Sequence, residues 1–266
     1  MQSTEVDLPE VKRAADEIAS ARLTRRVLTP LPEALRPRDE AAAYRIQAAV
    51  NRRLAAAGWG VPVGHKIGCT TPVMQAFLGI PNPCGGEVFG PAVFEAAGTF
   101  HTAHAIRLGV ECEIAVRLGR DVAGPLTRDE AADAVDSVHA SIEVVDDRYD
   151  DYTTLGTPTL IADDFFNAGC VIGPAARDWR ALDLAAIEGR MLINGEEVGR
   201  GVGADILGHP LEALIWLAGS VAERGRSLRA GEFVTLGSLV ATRWVQAGDE
   251  VRIEVDGLGE ARATFT

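Results

Sequence analysis

The stretch Arg107–Arg117, RLGVECEIAVR, alternates between apolar residues and a second set that includes two acids. Successive side chains of a β-strand point to opposite faces, so the apolar residues share one face and Glu111 and Glu113 lie together on the other. Two carboxylates on one strand face repel each other unless a cation lies between them. The pattern is also typical of a half-buried strand with one solvent-exposed face. It therefore predicts a strand and leaves a divalent-cation site open.

Composition and charge limit the class of protein. A chain of 266 residues, 47% of them hydrophobic, can form one domain, or one domain with a smaller attached part. The net charge of −12 argues against nucleic acid and anionic membranes as partners. The acidic, polar start and the lack of a long apolar run argue against a signal peptide and a membrane span. Four scattered cysteines with no CxxC pair indicate free thiols, so we expect a cytoplasmic protein.

Helical patterns open the chain. Apolar residues at helical spacing predict one helix over residues 9–25 and a second that begins after Asp39, a suitable N-cap residue. Residues 61–68 follow as a short strand that carries Lys66, and a short helix then begins at Pro72. The Gly- and Pro-rich segment IPNPCGGE, residues 80–87, predicts a loop that could act as a lid or binding loop.

Strand patterns dominate after a boundary near residue 95, which divides the chain into an α-rich part, 1–95, and a β-rich core, 96–266. Thr127 begins a capping box, and Asn194–Gly195 is a strong hairpin signal. The pattern of residues 232–266 predicts a strand, a turn and a second strand. Helices and strands do not alternate regularly, which argues against a doubly wound sheet. We therefore predict an α+β fold, a β-roll or barrel core with helices outside.

A third acid extends the candidate cation site. Glu143 lies in a second alternating stretch, HASIEVVDD, whose strand can pair with the strand of Glu111 and Glu113. Three converging carboxylates without a His or Cys partner favour Mg²⁺ or Mn²⁺ over zinc. Lys66 lies in an otherwise apolar stretch, where a lysine must reach the surface, pair with an acid or sit in a pocket. An ordinary surface lysine remains open from the pattern alone.

Several ordered motifs resemble one family, the fumarylacetoacetate hydrolase superfamily. The motifs are GHKIGCTTPVMQAFLGI, ECEIAVRLGRDV, SIEVVDDRY, NAGCVIG, LGHPLEALIWLA and GDEVRIEVDGLGEARATF. They run from about residue 60 to the end. Within the superfamily the chain is most similar to the 2-keto-4-pentenoate hydratases and the related 4-oxalocrotonate decarboxylases.

This resemblance implies a mixed β-roll with an N-terminal helical part, and it implies roles for individual residues. The family's E-x-E pair and later Glu, which bind Mg²⁺ or Mn²⁺, match Glu111, Glu113 and Glu143, and its active-site lysine matches Lys66. We further expect that Asp163 is catalytic. The residues expected to contact substrate are Cys84, Phe166 and Ser238. The family also implies a homo-oligomer with five-fold symmetry, a pentamer or a decamer.

The expected activity is the addition of water to a 2-hydroxy-2,4-dienoate, giving a 4-hydroxy-2-oxo acid. The alternatives are decarboxylation of a 4-oxalocrotonate-type acid, C–C hydrolysis of a diketo acid, and a non-enzymatic role as a subunit partner of such an enzyme. Cys84 stands where hydratases tend to carry an acid, and Phe165–Phe166 stand where an alanine–serine pair is usual. Two successive aromatic residues in a strand would face opposite sides. The alternatives therefore depend on whether these rings line the pocket.

Overall fold

The computed structural model describes residues 8–266. The helices of this part are α1 (Pro9–Thr24), α2 (Glu40–Leu54), α3 (Pro72–Leu78), α4 (Arg128–Ala134), α5 (Thr157–Ala162) and α6 (Pro210–Glu223). The strands are β1 (Pro62–Gly68), β2 (Cys84–Phe89), β3 (Val93–Glu95), β4 (Ala97–Phe100), β5 (Leu108–Leu118), β6 (Val135–Asp146), β7 (Asn167–Ile172), β8 (Glu188–Ile193), β9 (Glu196–Val202), β10 (Phe233–Trp244), β11 (Glu250–Val255) and β12 (Gly259–Phe265).

The strands form two sheets. The larger has seven strands in the order β2-β1-β10-β5-β6-β7-β3, and the smaller has five in the order β4-β12-β11-β8-β9. Most neighbours are antiparallel, but β1–β10, β3–β7 and β4–β12 are parallel pairs. This mixed β-roll with helices around it confirms the predicted α+β fold.

The predicted strand and its partner form the centre of the larger sheet. β5 and β6 pair antiparallel over their length, with Glu111 directly opposite Glu143. On the other face of these strands Val110, Ile114 and Ile142 are fully buried in the main hydrophobic cluster, which also includes residues of α6 and of the smaller sheet. Burying this apolar face fixes the register, because a shift of one residue would turn every side chain to the opposite side. The same register keeps the acids together.

The first two helices pack as an antiparallel pair beside the larger sheet. Their contact stripe is rich in alanine, and Ala14, Ile18 and Ala43 are fully buried. Asp39 caps α2 as expected, since its side chain accepts a 2.7 Å hydrogen bond from the Ala42 amide. This apolar cluster continues to Phe165, beside the larger sheet.

Local turn and capping signals are confirmed. Asn194 and Gly195, with φ of 52° and 83°, join β8 to β9, as a two-residue hairpin turn requires. Thr127 and Glu130 form the expected capping box at the start of α4. These signals depend on neighbouring residues alone, which is why the sequence reveals them.

The structure corrects the predicted secondary structure of residues 80–87 and 232–266. The segment 80–87 is not a loop throughout, because Cys84 begins the buried strand β2. Its glycines serve close packing: a Cβ built on Gly86 would lie 2.8 Å from the carbonyl oxygen of Asp164. The tail 232–266 contains three strands, β10, β11 and β12, where two were expected.

The division at residue 95 stays a prediction. Strands before that point nevertheless pair with strands after it, since β1 lies beside β10. Within residues 8–266, no helix is long and apolar enough to cross a membrane. The polar start of the chain, from which we expect no signal peptide, lies mostly outside the described residues.

Candidate metal centre

The three predicted acids converge on one face of the larger sheet. Glu111 and Glu143 are cross-strand neighbours, and Glu113 lies two residues along β5. Oxygen atoms of the three carboxylates lie within 4.8 Å of one another. Glu113 and Glu143 are fully buried, and Glu111 is half-buried. We call these three side chains the carboxylate triad.

Lys66 joins the triad from β1, two strands away. Its Nζ lies 3.2 Å from Oε1 of Glu143, and the residue is 2% exposed. Of the alternatives left by the sequence, pairing with an acid is therefore confirmed. Three carboxylates and one ammonium carry a formal charge of −2 when all are ionised, which a divalent cation would neutralise.

Burial and repulsion disturb the proton affinity of these groups. Burial raises the pKa of Glu113 well above its usual range, and Glu143 and Glu111 raise it further. Burial also raises the pKa of Glu143, against the opposing effect of Lys66. For Lys66, burial lowers the pKa, but the attraction of Glu143, Glu111 and Glu113 outweighs it and the net pKa is raised. Without a bound cation the site therefore has an excess of negative charge, which favours the protonated form of Lys66.

The donor atoms of the triad fit a hard cation. Oε1 of Glu113 and Oε2 of Glu143 are buried and have no hydrogen-bond partner among the described residues. A buried carboxylate oxygen without a partner is costly, and metal coordination removes that cost. Oxygen-only ligands are the donors that Mg²⁺, Mn²⁺ and Ca²⁺ accept, whereas zinc sites favour His and Cys. The residues present fit a divalent cation.

Further side chains and one backbone amide orient the triad, and the sequence did not reveal their roles. The Gly237 amide donates a 2.8 Å hydrogen bond to Oε2 of Glu113, and Asn167 Nδ2 donates at 3.0 Å to Oε1 of Glu143. Thr242 donates to Oε1 of Glu111. A glycine inside a strand could have signalled Gly237, because such glycines mark bulges and close contacts. The ladder between β10 and β5 is irregular at this point.

The two phenylalanines do not lie in a strand, so the expectation of opposite strand faces is wrong. They belong to a tight turn before β7, with φ of +50° at Phe165 and +71° at Phe166. The Phe165 ring centroid is 5.4 Å from Nζ of Lys66. Phe166 packs edge-to-face against Tyr149 and Tyr152, and its predicted contact with substrate stays a prediction. Phe165 is therefore the ring beside the site.

The other predicted residues have identifiable partners. Asp163 is buried, and its carboxylate accepts hydrogen bonds from Arg148 and Tyr149. Ser238 donates to the carbonyl oxygen of Val240 at 2.6 Å, inside the β10 irregularity. Their catalytic and binding roles stay predictions.

Cys84 is fully buried at the start of β2, opposite Gly68 of β1. The pKa of its thiol is raised mainly by a hydrogen bond with Cys69 and further by burial. All four cysteines are free thiols, as expected. The predicted role of Cys84 in substrate binding stays a prediction.

Together the mixed β-roll, the carboxylate triad and the buried lysine define a β-roll protein with a candidate oxygen-ligand metal centre. The sequence profile of the family described as fumarylacetoacetate (FAA) hydrolase C-terminal matches residues 90–266. The chain belongs to this family, as its motifs predicted.

Individual relatives are similar over nearly the whole chain. A 2-keto-4-pentenoate hydratase of Paraburkholderia phymatum is 34% identical over 259 residues, 96% of this chain and 97% of the relative. A 2-hydroxyhexa-2,4-dienoate hydratase of Comamonas testosteroni is 34% identical and covers 91% of this chain and 92% of its own. Among solved structures, the 4-oxalocrotonate decarboxylase from Pseudomonas putida G7, complexed with magnesium and adipate, superposes with a TM-score of 0.90 at 30% identity, covering 96% and 97% of the two chains.

Proposed function

We propose that this protein is a divalent-metal-dependent hydratase that adds water to a 2-hydroxy-2,4-dienoate and yields a 4-hydroxy-2-oxo acid. One observation carries the proposal: three carboxylates with oxygens within 4.8 Å of one another, and a buried lysine 3.2 Å from one of them. The names of the hydratase relatives support the reaction class.

The triad and Lys66 have different roles in the proposed reaction. Glu111, Glu113 and Glu143 hold the metal, which is Mg²⁺ or Mn²⁺ in our proposal. When bound, the cation stabilises negative charge on the oxygens of a 2-oxo acid. Lys66 holds a proton beside the reacting carbon chain and passes it during ketonisation. The Phe165 ring closes one side of the lysine and excludes solvent there.

Decarboxylation is the second candidate, and the position of Phe165 favours it. An aromatic ring beside Lys66 leaves less room for an attacking water and dries the pocket, and a dry pocket destabilises a carboxylate that must leave as CO₂. The structural similarity to a solved decarboxylase also supports decarboxylation. Both reactions pass through a charged dienolate oxygen, so one metal centre serves either, and the pocket walls decide.

Two substrates separate the candidates. Purified protein with Mg²⁺ is given 2-hydroxypenta-2,4-dienoate, which can only be hydrated, and separately 2-oxohex-3-enedioate, which can lose CO₂. We expect rapid consumption of the first with a mass gain of one water. Release of CO₂ from the second, with the first untouched, would replace the hydratase by the decarboxylase. No turnover of either would favour the two remaining alternatives, a C–C hydrolase of a diketo acid or a non-enzymatic subunit.

We also propose that the chain forms a homo-oligomer, a pentamer or decamer, and that it acts in the cytoplasm. The four free thiols support that location. Light scattering coupled to size-exclusion chromatography measures the copy number, and a mass of one chain would contradict the oligomer.

A further inference from the structure

The turn between α5 and β7 has an unusual backbone. Asp164, Phe165 and Phe166 have φ values of +53°, +50° and +71° in succession. Residues other than glycine rarely adopt this left-handed region, because their Cβ crowds the backbone. Three in a row persist only where surrounding contacts hold them. We call residues 163–167 the strained turn.

One buried arginine contacts both ends of this turn, while Arg22 and Asn51 hold the Asp164 carboxylate between them. Arg148 donates through Nε to Oδ2 of Asp163 and through Nη2 to the Asp163 carbonyl oxygen, both at 3.0 Å. Its Nη1 donates to the carbonyl oxygens of Phe166 and Asn167 at 3.2 and 3.1 Å. A single planar guanidinium thus holds both ends of the strained turn, a geometry that a lysine cannot reproduce.

The strained turn reaches the metal centre at two points. Asn167 donates to Oε1 of Glu143, the same oxygen that Lys66 approaches at 3.2 Å. Two donors thus approach Oε1, and Oε2 is the buried oxygen of Glu143 that has no hydrogen-bond partner among the described residues. Phe165 lies beside Nζ of Lys66, with its ring centroid 5.4 Å away. A shift of the turn would move both groups.

We propose that Arg148 is a positioning residue: it holds the strained turn so that Asn167 fixes the carboxylate of Glu143 for the metal and Phe165 confines Lys66. This inference rests on the proposed function, because it assumes that Glu143 is a metal ligand. Asp163 then acts as the counter-ion that holds Arg148.

The test measures Mg²⁺ affinity by calorimetry on the metal-stripped full chain. We expect Arg148→Lys to weaken binding about 10–100-fold, the usual effect of losing an interaction that orients a ligand. Asn167→Ala should weaken it similarly. If Arg148 acts through Asn167, the double variant should bind about as weakly as the weaker single one, whereas independent effects would multiply. Arg177→Lys, at an exposed pair with Asp136, is the matched control and should bind like wild type.

Folding is checked by circular dichroism. If Arg148→Lys does not fold, the isosteric Asp163→Asn weakens the same Arg148–Asp163 contact. It should give the same loss of Mg²⁺ affinity. Combined with Asn167→Ala, it should again lower the affinity no further than the weaker single variant does. Unchanged Mg²⁺ affinity in a folded Arg148 or Asp163 variant would overturn the inference. So would effects of the two substitutions that multiply in the double variant. In either case, Mg²⁺ binding and turnover by the wild type would still support the proposed function. Wild-type protein that binds no Mg²⁺ would overturn both.

Discussion

At the scale of single residues, the site is a set of charges that do not balance without a cation. The carboxylate triad is held at close range by the sheet register, and Lys66 offsets one of its charges. Two of the carboxyls have raised pKa values because they are buried together with another acid. Such arrangements cost stability and persist at functional sites.

Replacing Lys66 should remove turnover without unfolding the protein. Lys66→Met keeps the length and apolar stem of the side chain but carries no proton, so kcat should fall about 10²–10⁴-fold. The chain has one other lysine, Lys12, which is exposed on α1. Lys12→Met is therefore a matched control and should keep wild-type kcat in steady-state assays. A wild-type kcat in Lys66→Met would remove this residue from the mechanism.

Replacing Glu113 should stabilise the metal-free protein. A carboxyl whose pKa is raised by folding opposes folding at any pH above its unfolded pKa, because ionisation is easier in the unfolded chain. Glu113→Gln removes this group, and Gln can still accept the Gly237 hydrogen bond. Urea unfolding in EDTA should show a gain of about 1 kcal/mol at pH 8. This gain in stability should shrink as the pH falls toward 4.5. A variant less stable than wild type at pH 8 would show that the ionised Glu113 does not destabilise the metal-free protein.

At the scale of elements, local patterns revealed most of the fold and long-range contacts explain the failures. The alternation around Glu111 predicted β5, and Asp39 and Thr127 predicted helix starts, because these signals depend on neighbouring residues. The glycines Gly85 and Gly86 predicted a loop, whereas Gly86 allows β2 to pass close to the Asp164 backbone. Phe165 could not be placed, because a turn held by a distant arginine leaves no local signal.

The irregularity in β10 supports the site through Gly237. This residue has a φ of +125°, and a Cβ there would lie 2.1 Å from Oγ1 of Thr70. Gly237→Ala should therefore lower the free energy of unfolding by more than about 1 kcal/mol and weaken Mg²⁺ binding, since the amide bonded to Glu113 must shift. Gly219→Ala is the control: it lies in α6 with open space around it and should stabilise by up to about 1 kcal/mol. Thermal unfolding and calorimetry compare the two, and equal behaviour would contradict the role of Gly237.

At the scale of the whole molecule, the candidate metal centre takes residues from both parts of the sequence. Lys66 comes from the predicted α-rich part and the triad from the β-rich core, and β10 joins them by pairing with β1 and β5. The motifs identified the family and predicted the four side chains that the structure brings together. They did not reveal Arg148 or Asn167 as supports, because those roles depend on how α5 and β7 meet.

Shared strands predict cooperative unfolding. Because β1 and β2 belong to the same sheet as β5 and β6, residues on either side of position 95 should lose structure together. Hydrogen exchange followed by mass spectrometry in increasing urea should give one transition midpoint for peptides of β1 and β6. Earlier exchange of β1 and β2, with β6 still protected, would support two separately folding parts.

Titration of the metal-stripped protein with Mg²⁺ tests the central claim most directly. Wild type should bind one ion per chain, and Glu113→Gln should lose that binding while keeping its circular dichroism spectrum. Glu95→Gln makes the same chemical change at an exposed acid paired with Arg117 and should bind like wild type. Equal Mg²⁺ affinity in wild type and Glu113→Gln would contradict the carboxylate triad as the metal centre.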